Sequence, residues 1–390
     1  MRLVIVSHVV HYEWEDALWA YGPYLLEIDE WAKLFTEVTI ASPLKVGQPA
    51  NDALPFQSNN IRISPIAEIS APDNHSLLKK TRNAMLAARQ LMAVIKKADC
   101  VHVRCPGNLG LLGVLSVPLF GKRRIAKYAG QWPDYPGEGF SYRLQKWLLR
   151  SKWWNAPVTV YGNWPNQPSH VLPFFTSILS NGDISKAVLA AQNKQLHCPH
   201  RVLFVGRLSR PKNTHILIES LGRLKDIGFC FECRIVGEGA ERKSLERQVS
   251  RLGLDSEVMF LGGIPYESVL NQYEWGDVLV LASETEGWPK ALTEGMVFGL
   301  VCIGSNRGLV PQILAEGRGR LVEPGDVDDL TEKLKEVFES PDAFSRLSRE
   351  AAAWAQQYSL DGLRAGIRDI LIREWHLPMD SLRANGGEDR

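Results

Sequence analysis

The chain has 390 residues, of which 45% are hydrophobic and 23% are charged, and its net charge is +1. This length is too great for a single hydrophobic core and suits two domains of about 150 to 200 residues each, and the composition is typical of a soluble globular protein. The sequence holds no apolar run of about 18 residues, which excludes a membrane-spanning helix.

The first half of the chain predicts an α/β domain. The segment MRLVIVSHVV lacks the order of basic, apolar and small residues of a signal peptide, so it indicates a first strand and a protein that stays in the cytoplasm. Predicted strands are Leu3–Val6, Glu37–Ala41, Val101–Arg104, Arg124–Tyr128, Val158–Tyr161 and Val171–Phe174. Predicted helices are Pro23–Phe35, Ser76–Lys97, a core helix within Leu109–Phe120, and one around Phe140–Trp154.

From Arg201 onward, short strands rich in Val, Ile and Leu alternate with amphipathic helices. The strands RVLFVG, CFECRIVG, VMFLG, VLVLAS and LVCIGS are each followed by a helix, and the first two helices are predicted at Thr214–Asp226 and Ala240–Leu252. Such alternation indicates a doubly wound parallel sheet, whose ligands bind at the carboxyl ends of the strands.

These patterns predict two Rossmann-like domains. We expect an N-terminal domain over residues 1–185 and a second domain over 198–360, with a polar boundary between about residues 180 and 200. A last helix, 361–377, comes after the second domain is complete, and we expect it to pack back on the first. The seven C-terminal residues, ANGGEDR, are expected to be disordered.

The six cysteines have no framework spacing, which fits a reducing cytosol. Cys230 and Cys233 form a CxxC within a strand-like segment, and we interpret both as core residues. The segment HCPH at 197–200 has three ligand-type side chains, and a plain loop explains it better than a metal site. The sequence predicts no metal and no cofactor.

Three strand ends of the second half carry signals for an anion or a ring. In VGRLSRPKN, Gly206 lets the chain turn off the strand, and Arg207 and Lys212 place cations near the start of the next helix. This is the outline of a diphosphate site, with solvated loop charges as the alternative. In VGEGAE, Gly237 and Gly239 offer backbone that a flat ring or phosphate could approach closely, and FLGGIP at Phe260–Pro265 is a signal of similar strength.

The stretch SETEGWPKALTEGMVFG, residues 283–299, follows a buried strand, and two of its three acids, Glu286 and Glu294, stand eight positions apart. Glu286 lies in the loop with Gly287 and Trp288, and Pro289 fits the first turn of a helix that contains Glu294. Carboxylates accept hydrogen bonds from vicinal hydroxyls, so two of them beside a pair of cations describe a pocket for a sugar, a diphosphate and a ribose. The alternative is a helix N-terminal charge for the first acid and a surface position for the second.

VGRL…K followed by SETEGWPKALTEGMVFGLVCIGS resembles the donor-binding domain of retaining glycosyltransferases of family 4 over about Arg201–Leu330. The resemblance implies an α/β fold of the GT-B class, with two facing Rossmann-like doubly wound parallel-sheet domains and a cleft between them. It also implies a sugar transfer that retains configuration, without a metal and without an assigned general base.

The resemblance also implies roles for individual residues. Arg207 and Lys212 would neutralise the donor diphosphate, Glu286 would contact hydroxyls of the transferred sugar, and Glu294 would hold the ribose hydroxyls. The backbone from Gly287 through Trp288, Pro289 and Lys290 to Ala291 would lie near the sugar or the phosphates, and Gly206 would be a further donor contact. The nucleobase would be flanked by Gly237, Glu238, Gly263 and Ile264.

The first half departs from this family pattern. Many members have a Gly-Gly turn after the first strand, and here Gly22 before Pro23 is the nearest counterpart and a candidate donor contact. Many members also carry a His at the end of a middle strand, and RIAKYAGQWPDYPG has none. Candidates for the acceptor side, each with a structural role as the alternative, are His102, Arg104, Tyr128 and Asp134.

The composition of the segment 140–154 indicates that it could bind at a membrane surface. On a helical wheel, an apolar stripe of Phe140, Leu144, Trp147, Leu148 and Trp154 is flanked by Arg143, Lys146 and Arg150. Aromatic and basic residues beside an apolar stripe are typical of a helix at a membrane interface, and a core-facing amphipathic helix is an equal alternative. The basic face formed by residues 79–152 could also bind nucleic acid, but the sequence contains no nucleic-acid-binding motif.

The sequence therefore predicts a hexosyltransferase that moves sugar from a UDP- or GDP-linked nucleoside-diphosphate donor to a glycan or a polyprenyl-diphosphate-linked glycolipid in cell-surface polysaccharide assembly. The expected location is the cytoplasm, with contact at the inner face of the cytoplasmic membrane. The alternatives are a catalytically silent nucleotide-sugar-binding subunit and a GT-B epimerase.

Overall fold

The computed structural model describes residues 1–50, 52–69, 77–135, 137–379 and 381–382. The predicted disorder of ANGGEDR lies outside these residues. The chain divides into two compact units, the first formed by Met1–Ile178 together with the segment from Leu360 onward, and the second by Leu179–Ser359. Within the described ranges, none of the helices combines the length and the apolar character needed to cross a bilayer.

The first unit is built on a seven-stranded parallel sheet and a separate four-stranded sheet. Its strands are β1 Arg2–Val6, β2 His11–Trp14, β3 Ala17–Tyr21, β4 Glu37–Ser42, β5 Leu44–Val46, β6 Ala53–Pro55, β7 Ile61–Pro65, β8 Cys100–Cys105, β9 Arg123–Tyr128, β10 Val158–Tyr161 and β11 Val171–Phe174. Its helices before the second unit are α1 Gly22–Ala32, α2 Leu77–Lys97, α3 Asn108–Ser116 and α4 Phe140–Arg150, with a short 3-10 helix at Val117–Phe120.

The large sheet of the first unit has the strand order β11-β10-β9-β8-β1-β4-β7, and its pairs are all parallel. β4 and β7 lie on one side of β1, and β8 to β11, which come later in the chain, lie on the other side. The order therefore reverses between β1 and β8, which in a doubly wound sheet is the point where ligands bind.

The segment between β1 and α1 contains a hairpin that the sequence did not predict. β2 and β3 pair antiparallel around Glu15 and Asp16, both of which have positive φ (50° and 57°). Two successive positive φ values make the kind of turn that joins hairpin strands, and the usual sequence signal for it is Asn-Gly. Glu-Asp lacks that signal, so local chemistry did not reveal the turn.

The second unit contains a six-stranded parallel sheet with the order β14-β13-β12-β15-β16-β17. Its strands are β12 His200–Val205, β13 Phe231–Val236, β14 Val258–Gly262, β15 Val278–Leu281, β16 Val301–Ser305 and β17 Gly319–Val322. Its helices are α5 Asn181–Gln192, α6 Thr214–Asp226, α7 Arg242–Arg251, α8 Tyr266–Trp275, α9 Lys290–Val297, α10 Val310–Ile313, α11 Val327–Phe338 and α12 Pro341–Ala355, with a 3-10 turn at Arg210–Lys212. The order reverses between β12 and β15.

The stretch expected to be a polar boundary is largely a helix of the second unit. α5 begins with a capping box, in which the Ser180 side chain accepts from the Asp183 amide and the Asp183 carboxylate accepts from the Ser180 amide. This reciprocal pair satisfies two backbone donors at the helix start. The boundary between the units therefore falls at Ile178–Leu179, earlier than the sequence suggested.

The final helix, α13 Leu360–Trp375, belongs to the first unit. Its apolar side packs into the core that contains α1, with Leu363, Ile367, Leu371 and Trp375 buried there. Arg364 also pairs with Glu30 of α1 at 2.6 Å. Both apolar burial and an ion pair therefore attach this helix to the first unit.

α4 presents different faces from those that the helical wheel suggested. Lys146, placed by the wheel on an exposed basic flank, is fully buried, and its Nζ lies 2.7 Å from carboxylate oxygens of both Asp134 and Glu138. Trp154 lies beyond the helix end and is also buried, whereas Phe140 and Trp147 are exposed. The paired acids allow a lysine to be buried, and a wheel contains no information about such partners.

Candidate functional site

The loops after β12 and β15 meet at the reversal point of the second sheet. The Glu284 amide donates to the Pro211 carbonyl at 2.8 Å. Asn213, which has a left-handed backbone (φ 51°), donates from Nδ2 to the Ala282 carbonyl at 3.0 Å and to the Glu284 carboxylate at 2.9 Å. Asn tolerates this conformation better than most residues, so Asn213 both turns the chain and joins the two loops.

Lys212 and Glu286, predicted to act together, are in contact. The Lys212 Nζ lies 2.5 Å from Glu286 Oε1, and their side chains are 26% and 10% exposed. Arg207 is exposed, and within the described residues its side chain has no ion-pair partner. The loop after β12 therefore carries Lys212, which is already held by an acid, and two exposed cations, Arg207 and Arg210, that are open to an anion.

Glu294 is a buried residue and not the surface acid of the alternative interpretation. It is the fifth residue of α9 and is 7% exposed, and it accepts a hydrogen bond from the Tyr273 hydroxyl of α8 at 2.8 Å. Burial raises the pKa of Glu294 above its ordinary value, against the smaller opposing effects of the Tyr273 hydrogen bond and of Lys290. A carboxylate in this setting is held in one orientation and gains from any further donor.

The residues around the start of α9 form a fixed turn. The helix begins at Lys290, with Pro289 as its N-cap and Ala291 in the first turn, and the Thr293 amide donates to the Pro289 carbonyl at 3.1 Å. Trp288 donates from Nε1 to Thr293 Oγ1 at 3.2 Å, and its ring meets Tyr358 edge-on at 5.7 Å. Gly287 precedes this anchored indole, so the turn that follows Glu286 is tied to α9 itself.

The glycines of the second predicted motif are required by the neighbouring loop. A Cβ on Gly237, whose φ is +134°, would lie 1.9 Å from the Gly206 carbonyl oxygen, and one on Gly239 would lie 2.1 Å from the Leu208 carbonyl oxygen. The Leu208 amide also donates to the Glu238 carbonyl at 2.9 Å. Close packing of two backbones therefore explains the missing side chains without a ligand.

Three further residues expected near a nucleobase lie beside this loop pair. Gly263 and Ile264 follow β14, and a Cβ on Gly263 would lie 3.5 Å from Glu238 Cγ. The Glu238 carboxylate forms an ion pair with Arg242. The structure thus groups these residues with the carboxyl ends of β13 and β14, on the side of β12 opposite to β15.

Two of the four acceptor candidates are enclosed in the first unit. His102 has no exposed surface, its ring stacks on Trp31 with centroids 4.2 Å apart, and neither ring nitrogen has a hydrogen-bond partner among the described residues. Tyr128 is likewise buried and packs edge-on against Trp132. We therefore correct both expectations, because a side chain without exposed surface offers nothing to an acceptor in this conformation.

The other two candidates are charged and paired. Arg104 contacts the buried Glu27 at 2.6 Å, and Lys127 contacts the same carboxylate at 2.8 Å. Burial alone would raise the pKa of Glu27, but the two cations outweigh it and hold the pKa well below its usual range. Asp134 is exposed, and its carboxylate lies 2.7 Å from Lys146.

Gly22 does not occupy the place expected for it. The loop that directly follows β1 consists of residues 7–10, whereas Gly22 starts α1 after the hairpin. Its amide already donates to the Asp52 carbonyl at 2.8 Å, and a Cβ there would lie 3.1 Å from Leu54 Cδ1. The glycine therefore serves the packing of β6 against α1.

Sequence reasoning missed Asn213, Tyr273 and Glu27. Asn213 ends the motif VGRLSRPKN and could have been found from the preference of Asn for left-handed turns. Tyr273 and Glu27 carry no local signal, because their partners lie 21 and 77 residues away in the chain. Among the described residues, no cluster of three or more His, Cys, Asp or Glu side chains could hold a metal ion.

Residues 189–354 match the family model described as Glycosyl transferases group 1. The amylovoran biosynthesis glycosyltransferase AmsK of Erwinia amylovora is 32% identical over 142 residues, which are 35% of this chain and 35% of that protein, so the match spans about a third of the relative's length.

Two solved structures are similar over nearly the whole chain. A sucrose-phosphate synthase from Thermosynechococcus elongatus has a TM-score of 0.71 at 16% identity, with 96% of this chain and 99% of that one covered. Anabaena HepE in complex with UDP-glucose has a TM-score of 0.67 at 16% identity, with 96% and 100% covered. At this identity the likeness shows the fold.

Proposed function

Because the chain has the GT-B fold and residues 189–354 belong to the group 1 glycosyltransferase family, we propose that the protein transfers a sugar from a nucleoside diphosphate to a glycan acceptor. The observation that carries this proposal is the pairing of Lys212 with Glu286 at the reversal point of the second sheet. A ligand that binds at this point can replace both partners of the ion pair: one part of it contacts the cation and another part contacts the acid.

The diphosphate of the donor replaces Glu286 as the ion-pair partner of Lys212. The Lys212 side chain is partly exposed, so a phosphate oxygen can approach it, and the unpaired Arg207 adds a second cation from the same loop. Negative charge grows on the diphosphate as the bond to the sugar breaks, so both cations stabilise the transition state more than the ground state.

Release from Lys212 leaves the Glu286 carboxylate open to hydrogen-bond donors. Hydroxyls of the transferred sugar supply such donors, and the anchored Trp288 fixes the turn that follows the acid. We assign Glu286 to the sugar on this basis. In the structure the two charges form a pair, so neither is exposed to water alone.

Glu294 receives the ribose. Its Oε2 accepts from the Tyr273 hydroxyl, and the remaining acceptor capacity of the carboxylate suits two vicinal hydroxyls. A hydrogen bond to a buried charged group contributes more than one between neutral groups, about 1.5–3 kcal/mol. The same geometry disfavours a nucleotide whose pentose lacks the second hydroxyl.

The finer features of the reaction follow from the resemblance of the motifs to family 4. We propose retention of configuration, in which the acceptor hydroxyl attacks from the face that the diphosphate leaves, without a metal and without a protein general base. HepE was solved with UDP-glucose, which makes a UDP-sugar the first donor to test, with a GDP-sugar second.

For the acceptor, we propose a cell-surface glycan or lipid-linked glycan, extended by a cytoplasmic protein at the inner face of the membrane. AmsK is named for amylovoran biosynthesis. α4 exposes Phe140 and Trp147, and the cation Arg143 lies between them in the sequence. Aromatic and basic side chains together suit the headgroup region of an anionic bilayer.

A nucleotide panel tests the proposal directly. UDP, GDP, ADP, dTDP and their sugars are added to the protein, and the melting temperature is measured. A ligand present at 100 times its Kd stabilises the folded state by about 2.7 kcal/mol, so one base is expected to raise the melting temperature clearly. Lys212→Met is expected to lose this shift, whereas Lys243→Met, which removes an exposed lysine of α7, is expected to keep it.

Two results of the panel would count against the proposal. If no nucleotide shifts the melting temperature, the proposed donor site is wrong. If Lys212→Met shows the same shift as wild type, the assignment of Lys212 to the diphosphate is wrong. A shift without any release of nucleoside diphosphate from the sugar would instead support a silent binding subunit.

A further inference from the structure

The indole of Trp288 contacts the ring of a tyrosine that the sequence did not single out. Tyr358 follows the end of α12, and its ring centroid lies 5.7 Å from that of Trp288 with an angle of 74° between the ring planes. Perpendicular rings at this separation attract each other, because the positive edge of one faces the negative face of the other. Both residues belong to the second unit, which also contains the candidate donor site.

Tyr358 is itself held by α12. Its amide donates to the Ala355 carbonyl at 3.1 Å, and its ring meets that of Trp354 edge-on with centroids 4.7 Å apart. Gln356, the C-cap of α12, donates from Nε2 to the carbonyl of Val297, the last residue of α9, at 3.1 Å. The end of α12 is therefore fixed against α9, and this fixes the position of the Tyr358 ring.

A buried arginine supports the two rings from behind. The Arg318 guanidinium lies over the Trp354 ring, 5.0 Å from its centroid, and the residue is 8% exposed. It also donates to the carbonyls of the last two residues of α10, each at 2.8 Å, which suits carbonyls without partners inside their helix. A row of contacts therefore runs from α10 through Trp354 and Tyr358 to Trp288.

The residue at the end of this row is close in the chain to the acid assigned to the sugar. Only Gly287 separates Trp288 from Glu286, and none of the three belongs to a helix or a strand. A displaced indole therefore also displaces the backbone that carries the Glu286 carboxylate. Glu294 lies inside α9 and is held by the Tyr273 hydroxyl, so its position does not depend on the indole.

We propose that Tyr358 is a positioning residue for the donor sugar, whose ring holds the Trp288 indole and thereby the Glu286 carboxylate where the sugar binds. This inference rests on the proposed function, which assigns Glu286 to the sugar. It predicts a selective effect: loss of the ring weakens the contact to the sugar and leaves the contacts to the ribose and the diphosphate intact.

Tyr358→Leu tests the inference, because leucine fills part of the space but has no aromatic edge. The donor is the nucleotide sugar that gives the largest shift in the panel, and its hydrolysis is followed without acceptor. kcat/KM for hydrolysis is expected to fall about three- to tenfold, while the Kd of the corresponding nucleoside diphosphate stays within about twofold of wild type. A merely structural role for Tyr358 would weaken both to the same extent.

A double-mutant cycle tests whether Tyr358 acts through the indole. Trp288→Leu is expected to lower kcat/KM on its own, and Tyr358→Leu is expected to add no further loss in that background. Trp354→Leu gives a second route, because it removes the ring behind Tyr358 and leaves Tyr358 in the chain. It is expected to lower kcat/KM without a change in the Kd of the nucleoside diphosphate.

Two variants serve as controls. Tyr358→Phe keeps the ring and is expected to retain about half or more of the wild-type kcat/KM. Tyr142→Leu makes the matched substitution at an exposed tyrosine of α4 and is expected to hydrolyse the donor as wild type does.

Three results would overturn the inference while the proposed function stands. These are an unchanged kcat/KM in Tyr358→Leu, a parallel rise in the Kd of the nucleoside diphosphate, and a full further loss in the Trp288→Leu background. A wild-type protein that binds no nucleotide and turns over no nucleotide sugar would overturn both.

Discussion

Glu294 is a side chain of the candidate donor site whose negative charge the fold disfavours. Burial raises its pKa, and the hydrogen bond from Tyr273 offsets only part of that effect. The folded protein therefore binds a proton more tightly at Glu294 than the unfolded chain does. Proton binding at Glu294 therefore favours the folded state. This contribution to the free energy of unfolding is fully present below the ordinary pKa of 4.5, and it is lost as the pH rises through the higher pKa of the folded protein.

Glu294→Gln is expected to stabilise the protein at pH 8 while it weakens the nucleotide. The amide keeps the size of the side chain but has no charge to bury, so the melting temperature is expected to equal or exceed that of wild type. Loss of a charged acceptor for the ribose costs about 1.5–3 kcal/mol, or roughly ten- to a hundredfold in Kd. Thermal unfolding between pH 5 and pH 8 and nucleotide titration measure the two effects.

The matched control for this prediction is Glu350→Gln at an exposed position of α12. It is expected to change neither the melting temperature nor the Kd. A Glu294→Gln protein that is less stable than wild type at pH 8, or that binds nucleotide equally well, would contradict the assignment of this acid.

Among the elements, α4 has one face for the core and another for solvent. Inward, Lys146 contacts the side chains of Asp134 and Glu138 and Gln145 accepts from Gly107, so the helix holds two loops of the first unit. Outward, Phe140 and Trp147 are 74% and 63% exposed. Large exposed aromatic side chains on a helix indicate an interaction surface.

We expect Phe140→Ser/Trp147→Ser to bind anionic vesicles about tenfold less tightly than wild type, because the two rings no longer enter the interface. Cosedimentation with vesicles that contain about one third phosphatidylglycerol measures this binding. Trp14→Ser, which removes an exposed tryptophan of β2, serves as the control and is expected to bind as wild type does. Wild-type protein that stays in the supernatant would exclude the membrane proposal.

At the scale of the whole molecule, the chain returns to its first unit after completing the second. The returning helix α13 shares a core with α1, and Trp375 donates from Nε1 to the Arg124 carbonyl at 3.3 Å, a contact across 251 positions of the chain. The first unit therefore lacks part of its core until the last described residues are in place.

Trp375→Ala is expected to destabilise the first unit by about 3–5 kcal/mol, because it removes a large buried side chain and leaves a cavity. Calorimetry with and without nucleotide distinguishes the units, since a donor bound to the second unit shifts the transition of that unit. The transition that nucleotide does not shift is expected to move to lower temperature. Trp147→Ala, which removes an exposed ring of the same unit, should leave it in place, and equal behaviour of the two variants would refute the packing role of Trp375.

The sequence alone determined the class of fold and the bounds of several elements in both units. The strands at Val158–Tyr161 and Val171–Phe174 and the helix at Thr214–Asp226 have the predicted bounds. Strand and helix periodicity are local properties, so a short window of residues contains them. The same holds for the loop that carries Lys212, since Gly206 directly follows β12 and marks where that strand ends.

Only the tertiary structure decided which side chains are buried, paired or free. It placed Lys146 and His102 inside the first unit, joined Tyr273 to Glu294, and left Arg207 exposed in the second unit. Each of these facts depends on residues that are distant in the chain and adjacent in space. A charge can be buried where a partner reaches it, and the position of that partner is set by the fold and not by the neighbouring sequence.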